Sequence, residues 1–261
     1  MLLASVWLAV STGFAADTTS STASAGYDFS EPKLLTGTLY AIGSERKTVL
    51  YTFRRIATRS GDTVHVERQF LGTNGSLAAV EKVLYETNQL VSFEMQDFQA
   101  GISGAIHIQP DADHPARQDI FISFAHSLNP PKGRAHMLQP DTVIDDTLYP
   151  FMMAHWDGLL RGKPIEFHFV SLDWERSFEF ELVKTGESSQ NGRPTVQITM
   201  KAANLFVARL VKPLVFVVEK NGSRRILSYI GRSTPRIKKG NSWKYLDAET
   251  VFDYQAEDEH R

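Results

Sequence analysis

The chain has 261 residues, no cysteine and a formal net charge of −2. Disulfides, thiolate metal sites and a lipidated N-terminal cysteine are thereby excluded, and the charge balance argues against a whole-protein nucleic-acid role. Without cross-links the fold must be held by its core, for which 16 Phe, 8 Tyr and 4 Trp supply bulk.

Residues 2–10, LLASVWLAV, form an apolar run, followed by the small residues of STGFAA and the polar stretch DTTSSTASAG. A secretory signal has an apolar core of about 7–15 residues and small residues before the cut. Gly13 and Ala15 suit the two specificity positions, so cleavage is expected before Ala16, although no Lys or Arg follows Met1. The run is too short for a transmembrane helix, which needs about 20 apolar residues. The expected division is a signal peptide over 1–15, a disordered linker over 16–33, a β-rich domain over 34–254 and a solvated tail over 255–261. The expected destination is the periplasm or the exterior.

From about residue 34 the pattern is one of strands. KTVLYTFRRIA alternates, with Val49, Tyr51 and Phe53 on one face and Thr48, Thr52 and Arg54 on the other. TVHVERQFL, AAVEKVLYE and QLVSFEMQDF follow, with a turn expected at Thr87-Asn88-Gln89. GISGAIHIQ and DIFISFA continue the series across the polar loop PDADHPARQ. Short strands punctuated every 8–12 residues predict an antiparallel meander.

The Pro- and Gly-rich connection LNPPKGRAHMLQPD leads to VIDDTLYPFMMAHWDGLLRGKP, which the spacing of Leu148, Met152, Trp156, Leu159 and Leu160 predicts as a helix. Asp145 or Asp146 is the expected N-cap, Pro150 fits the first turn, and Gly162 with Pro164 is the stop. IEFHFV and SFEFELV resume the strands. Gln190-Asn191-Gly192 turns into PTVQITMKA, and NLFVARLV reads as a short helix or a bulged strand. KPLVFVVEK and RRILSYIG are joined at Asn221-Gly222, a strong hairpin signal. YLDAETVFDY is the last strand. The whole predicts a mainly β fold: a single curved antiparallel sheet of about eleven strands, an open or half barrel, wrapped around one central helix.

That order of parts resembles the LolA/LolB type of periplasmic half-barrel: a signal peptide, a meander, a long helix that lids the barrel, and the ending KPLVFVVEKNGSRRILSYIGRS…LDAETVFDY. The resemblance is architectural and spans residues 34–254. It implies a concave face that carries acylated lipoproteins, and it carries over no binding residue. The lack of cysteine sets the chain apart from the membrane-anchored LolB arrangement.

Several clusters could bear chemistry. His107, Asp111, Asp113 and His114 crowd into HIQPDADH, but in a Pro-containing loop that reads as polar surface. His155, Trp156 and Asp157 stand about 100° apart on the helix and cannot converge. Glu166 and His168 share the strand face opposite Ile165, Phe167 and Phe169. G-x-S-x-G, G-x-G-x-x-G, P-loop and H-E-x-x-H motifs are absent. From Glu219 to Lys244 the chain holds eight basic residues and one acidic, and GRSTPRIKKGNSWKY has the character of a flexible contact loop.

The sequence therefore favours an exported, non-catalytic protein that binds a lipid or other apolar ligand. The expected ligand-lining residues are Met152, Trp156, Phe167, Phe169, Phe178 and Phe180. Arg224, Arg225, Arg236, Lys238 and Lys239 are expected to form a rim for an anion or headgroup. Two alternatives are an envelope interaction module without a ligand cavity and a hydrolase using a carboxylate–His pair. No cofactor, metal or nucleic acid is expected. The expected partners are the apolar ligand, an envelope protein and a membrane surface touched peripherally.

Overall fold

A single sheet of fifteen strands dominates the computed structural model, which describes residues 27–111, 113–126 and 133–254. The expected signal peptide, most of the expected linker and the expected tail lie outside the described residues.

The first seven strands are β1 (Leu34–Ala41), β2 (Val49–Ser60), β3 (Thr63–Gly72), β4 (Leu77–Glu86), β5 (Gln89–Asp97), β6 (Ile102–Pro110) and β7 (Gln118–Ala125). Two short strands follow, β8 (Gly133–Met137) and β9 (Thr142–Val143). After the helices α1 (Leu148–Ala154) and α2 (Trp156–Leu160) come β10 (Ile165–Ser171), a 3₁₀ turn (Leu172–Trp174), β11 (Arg176–Gln190) and β12 (Arg193–Ala202). Helix α3 (Leu205–Ala208) leads to β13 (Leu214–Glu219), β14 (Ile226–Lys239) and β15 (Ser242–Asp253).

Neighbours in the sheet are neighbours in sequence except at one seam, where β1 pairs antiparallel with β15. The two chain halves thus meet through their terminal strands, and β8 and β9 become the sheet edges. The sheet curls until the β8 edge meets the turn between β10 and β11: His136 Nε2 lies 2.7 Å from the Glu175 carbonyl, and Arg134 pairs with the Glu175 carboxylate at 3.5 Å. Among the described residues β9 is the one parallel partner, running beside β10.

Tight turns follow local chemistry. Thr87-Asn88 joins β4 to β5 and Asn191-Gly192 joins β11 to β12, with positive φ at all four residues, as a two-residue hairpin turn demands. Asn221-Gly222 behaves differently. Six residues, from Lys220 to Arg225, separate β13 from β14, so this is a wider loop than the dipeptide implies.

The core is divided among three buried clusters. One packs Leu148, Phe151, Met152, Trp156 and Leu159 of the helices onto Phe167, Phe180, Leu182, Ile198 and Met200. A second gathers Val64, Val66, Val83, Tyr85, Phe93 and Ile106 around Phe29. A third joins β1, β2 and β15 through Leu39, Phe53, Leu246 and Ala248.

Five expectations are corrected. Among the described residues the strands number fifteen against about eleven expected; β1, β8 and β9 were not read from alternation, β8 and β9 being too short to show a period. The central helix is broken at His155 (φ −105°, ψ 11°) into α1 and α2. Asp145 and Asp146 do not cap it: Thr147 precedes the helix and makes no side-chain cap bond. The linker gives way to structure by residue 27, since Phe29 is buried and stacks on Tyr85 with ring centroids 3.9 Å apart. GRSTPRIKKGNSWKY, expected as a flexible loop, is the paired end of the β14–β15 hairpin. NLFVARLV resolves as a short helix, with Asn204 accepting the Phe206 N–H at 2.7 Å.

Candidate functional site

Alternation along a strand sends every second side chain to the concave face. On β3 that row is Val64, Val66, Arg68 and Phe70; on β4 it is Ala79, Glu81, Val83 and Tyr85. Arg68 and Glu81 are direct cross-strand partners, so an ion pair is planted among apolar neighbours. Between this wall and the helical plug lies a cavity of about 700 Å³. Phe53, Phe70, Phe93, Ile106, Phe169 and Phe216 supply much of its apolar lining.

Arg68 is the centre of the cavity's polar patch. Its Nε lies 2.8 Å from Glu81 Oε2, and its Nη1 donates to Asp145 Oδ2 at 2.8 Å. Asp146 Oδ1 is 3.7 Å from Nε, while the other oxygen of that carboxylate accepts the Tyr85 hydroxyl at 2.5 Å. Glu81 Oε1 accepts from Thr234 of β14. Asp145 and Asp146, read from sequence as helix caps, are thus the residues that tie the start of the plug to the sheet.

Burial dominates the electrostatics here. It pushes the Glu81 carboxyl upward, and Asp145 and Asp146 push the same way, against Arg68 and the Thr234 bond. Burial also opposes the Arg68 charge, yet the three surrounding carboxyls outweigh it and hold the guanidinium firmly protonated. Burial raises the Tyr85 hydroxyl as well, and its partner Asp146 adds to the shift.

Nearby, Arg55 takes a different partnership. Its Nη1 and Nη2 donate to the carbonyls of Pro32 and Phe29 at 2.6 and 2.7 Å, which fastens the entering segment across the wall. A second polar junction closes the roll. Asp97, 1% exposed, accepts the Gln99 and Ala100 N–H groups with Oδ1 and the Arg236 N–H with Oδ2, at 3.1, 2.9 and 2.8 Å. The Arg236 guanidinium reaches Asp173 at 3.0 Å and lies over the Tyr245 ring, 4.3 Å from its centroid. A bulge at Thr234-Pro235, where β14 skips its β15 partners, turns this segment inward.

The structure separates the expected ligand-lining residues. Met152 and Phe169 border the cavity. Trp156, Phe167 and Phe180 lie in the helix-to-sheet core, and Phe178 packs at its margin with Arg176 over its ring. The expected rim divides likewise. Arg225 and Arg236 border the cavity, Arg224 lies over Trp156 at 5.8 Å, and Lys238 and Lys239 are exposed at the end of the hairpin. His168 pairs with Asp141 at 2.9 Å, not with Glu166. Asp111 Oδ1 accepts the N–H groups of Asp113 and His114, an ordinary polar turn. Among the described residues no three His, Asp or Glu side chains gather as metal ligands.

No protein-family model matches the chain, and no curated protein matches it. A similar solved structure is described as a beta-barrel-like protein of domain of unknown function DUF1849 from Brucella abortus. It is 8% identical, the alignment covers 84% of this chain and 92% of that one, and the TM-score is 0.39.

Arg68, Glu81, Asp97 and Arg55 were not among the residues expected to form a site. The signal for all four was present: each has apolar residues as its nearest neighbours in the same strand phase. Arg55 shares its phase with Tyr51, Phe53 and Ala57, and Asp97 shares its phase with Phe93 and Met95.

Proposed function

We propose that this chain is an exported, non-catalytic protein that binds a lipid or other apolar ligand on the concave face of its sheet. The observation that carries the reading is the cavity of about 700 Å³ beside the helical plug, walled in part by phenylalanines and bordered by two polar groups, one around Arg68 and one at Asp97, Asp173 and Arg236. Ligand pockets span roughly 300–1,000 Å³ and combine apolar walls with a few placed polar groups. The curved sheet packed on two short helices supports a barrel-like architecture, and a LolA/LolB-like role with cargo of acylated chemistry is the finer part of the proposal.

The test is uptake of an uncharged fluorophore such as N-phenylnaphthylamine, joined to native mass spectrometry of protein purified from its own host. Saturable fluorescence enhancement and a retained lipid mass support the reading. Protein that neither brightens the fluorophore nor carries a lipid overturns it, and the interaction-module reading then takes its place.

A further inference from the structure

The polar patch limits what headgroup the cavity accepts. Arg68 is 8% exposed and borders the cavity, yet its Nη2 has no hydrogen-bond partner among the described residues. A buried guanidinium N–H without an acceptor costs free energy, so a ligand that supplies one gains by it. Nη1 is committed to Asp145; Nε forms an ion pair with Glu81 Oε2 at 2.8 Å but no hydrogen bond, so Nε and Nη2 both remain as unmet donors, and Nη2 is the one that no carboxylate faces.

The charge around Arg68 decides which acceptor fits. One guanidinium is met by three carboxyls, those of Glu81, Asp145 and Asp146. The Glu81 and Asp146 side chains are buried while that of Asp145 is half-exposed, so a carboxylate ligand would bring a third charge beside two buried ones, where like charges repel. A neutral carbonyl would satisfy Nη2 and add no charge. The same wall already shows this pairing, since Arg55 spends both terminal nitrogens on backbone carbonyls. The apolar surroundings of Arg68 set the acceptor's place in the molecule. Val66 and Phe70 flank it on β3, and the Phe93 ring centroid lies 6.0 Å from the guanidinium carbon.

We infer that Arg68 reads a neutral acyl carbonyl, so the ligand class is an ester or amide of a long-chain fatty acid and not the free acid. The inference rests on the cavity reading above and refines it. It also moves headgroup recognition from the basic rim at Arg224–Lys239 to the interior of the sheet.

The experiment is displacement of N-phenylnaphthylamine at pH 8 by monooleoylglycerol, oleamide and oleate, each below its aggregation threshold. The ester and the amide are expected to bind about tenfold tighter than oleate, as a site with an unmet donor and surplus negative charge discriminates. Glu81→Gln and Asp145→Asn each remove one negative charge. They are expected to narrow that gap several-fold by strengthening oleate alone. Arg68→Met should abolish the preference, with circular dichroism reporting whether the variant folds. The two carboxamide variants decide the matter if it does not. Oleate binding as tightly as the ester in the wild type overturns the inference while leaving the cavity reading intact. So does an oleate-to-ester ratio unmoved by both carboxamide variants. If the fluorophore is taken up by none of the proteins, both readings fall together.

Discussion

Glu81 shows how a single inward-facing residue can make stability depend on pH. Burial, with help from Asp145 and Asp146, pushes its carboxyl up to about 7 despite the Arg68 guanidinium 2.8 Å away. In an unfolded chain a Glu titrates near about 4.3. The folded protein therefore holds this proton more tightly than the unfolded one. The stabilisation is complete below about 4.3 and is lost as pH rises through about 7. Glu81→Gln keeps the shape and removes the titration. Its urea midpoint should lie above that of the wild type at pH 8, and the gap should shrink toward pH 5. A gap that widens on acidification would sink the idea. The residue was legible in principle, since AAVEKVLYE places Glu81 in phase with Ala79, Val83 and Tyr85. What alternation could not convey is that Arg68 stands opposite, because that register is set by the hairpin between β3 and β4.

At the scale of elements, most local signals were read well and non-local ones were not. The turns at Thr87-Asn88 and Asn191-Gly192 depend on the φ of two residues, and such demands are written in the dipeptide. The existence of β9 depends on β10, across the two helices; the β14–β15 hairpin is local, yet its turn at Gly240-Asn241 was missed among the basic residues around it. The helix lies between these cases: its apolar spacing was plain, but its break at His155 answers to packing. Trp156 follows that break and is 1% exposed, and its Nε1 has no hydrogen-bond partner among the described residues. Trp156→Ala should cost about 3–5 kcal/mol, the range for deleting a large buried aromatic. Trp156→Phe keeps most of the apolar area and removes an unsatisfied N–H, so its cost should be less than half as large. Denaturant midpoints for the pair check this, and equal losses would show that the indole N–H is in use.

At the scale of the whole molecule, charge and closure must be separated before a membrane role can be tested. Export has its own check: N-terminal sequencing of the mature protein should begin at Ala16 or within a few residues of it, and an intact Met1 would defeat it. The basic segment of β14 serves two ends. Arg236 is held by Asp173 and Tyr245, and its side chain is 11% exposed. Arg236→Glu would set a third acidic group against Asp173 and Asp97, and breaking a buried pair in this way costs about 3–5 kcal/mol. Any lost binding would then report unfolding. Lys238 and Lys239 are exposed at the hairpin end beside Lys244, and surface changes of this kind typically alter stability by about 0.5 kcal/mol or less. The double variant Lys238→Glu, Lys239→Glu should therefore leave the denaturant midpoint nearly unchanged. It should still weaken sedimentation with vesicles containing anionic lipid, because the hairpin end would pass from attracting the surface to repelling it. Wild-type association should fall as salt is added, since exposed charges are screened within about 10 Å at 0.1 M. Binding that resists salt and survives the double reversal would place the contact elsewhere, on exposed apolar residues such as Phe206 of α3 and Leu210 just beyond it, where burial of apolar surface and not charge would hold the protein to the membrane.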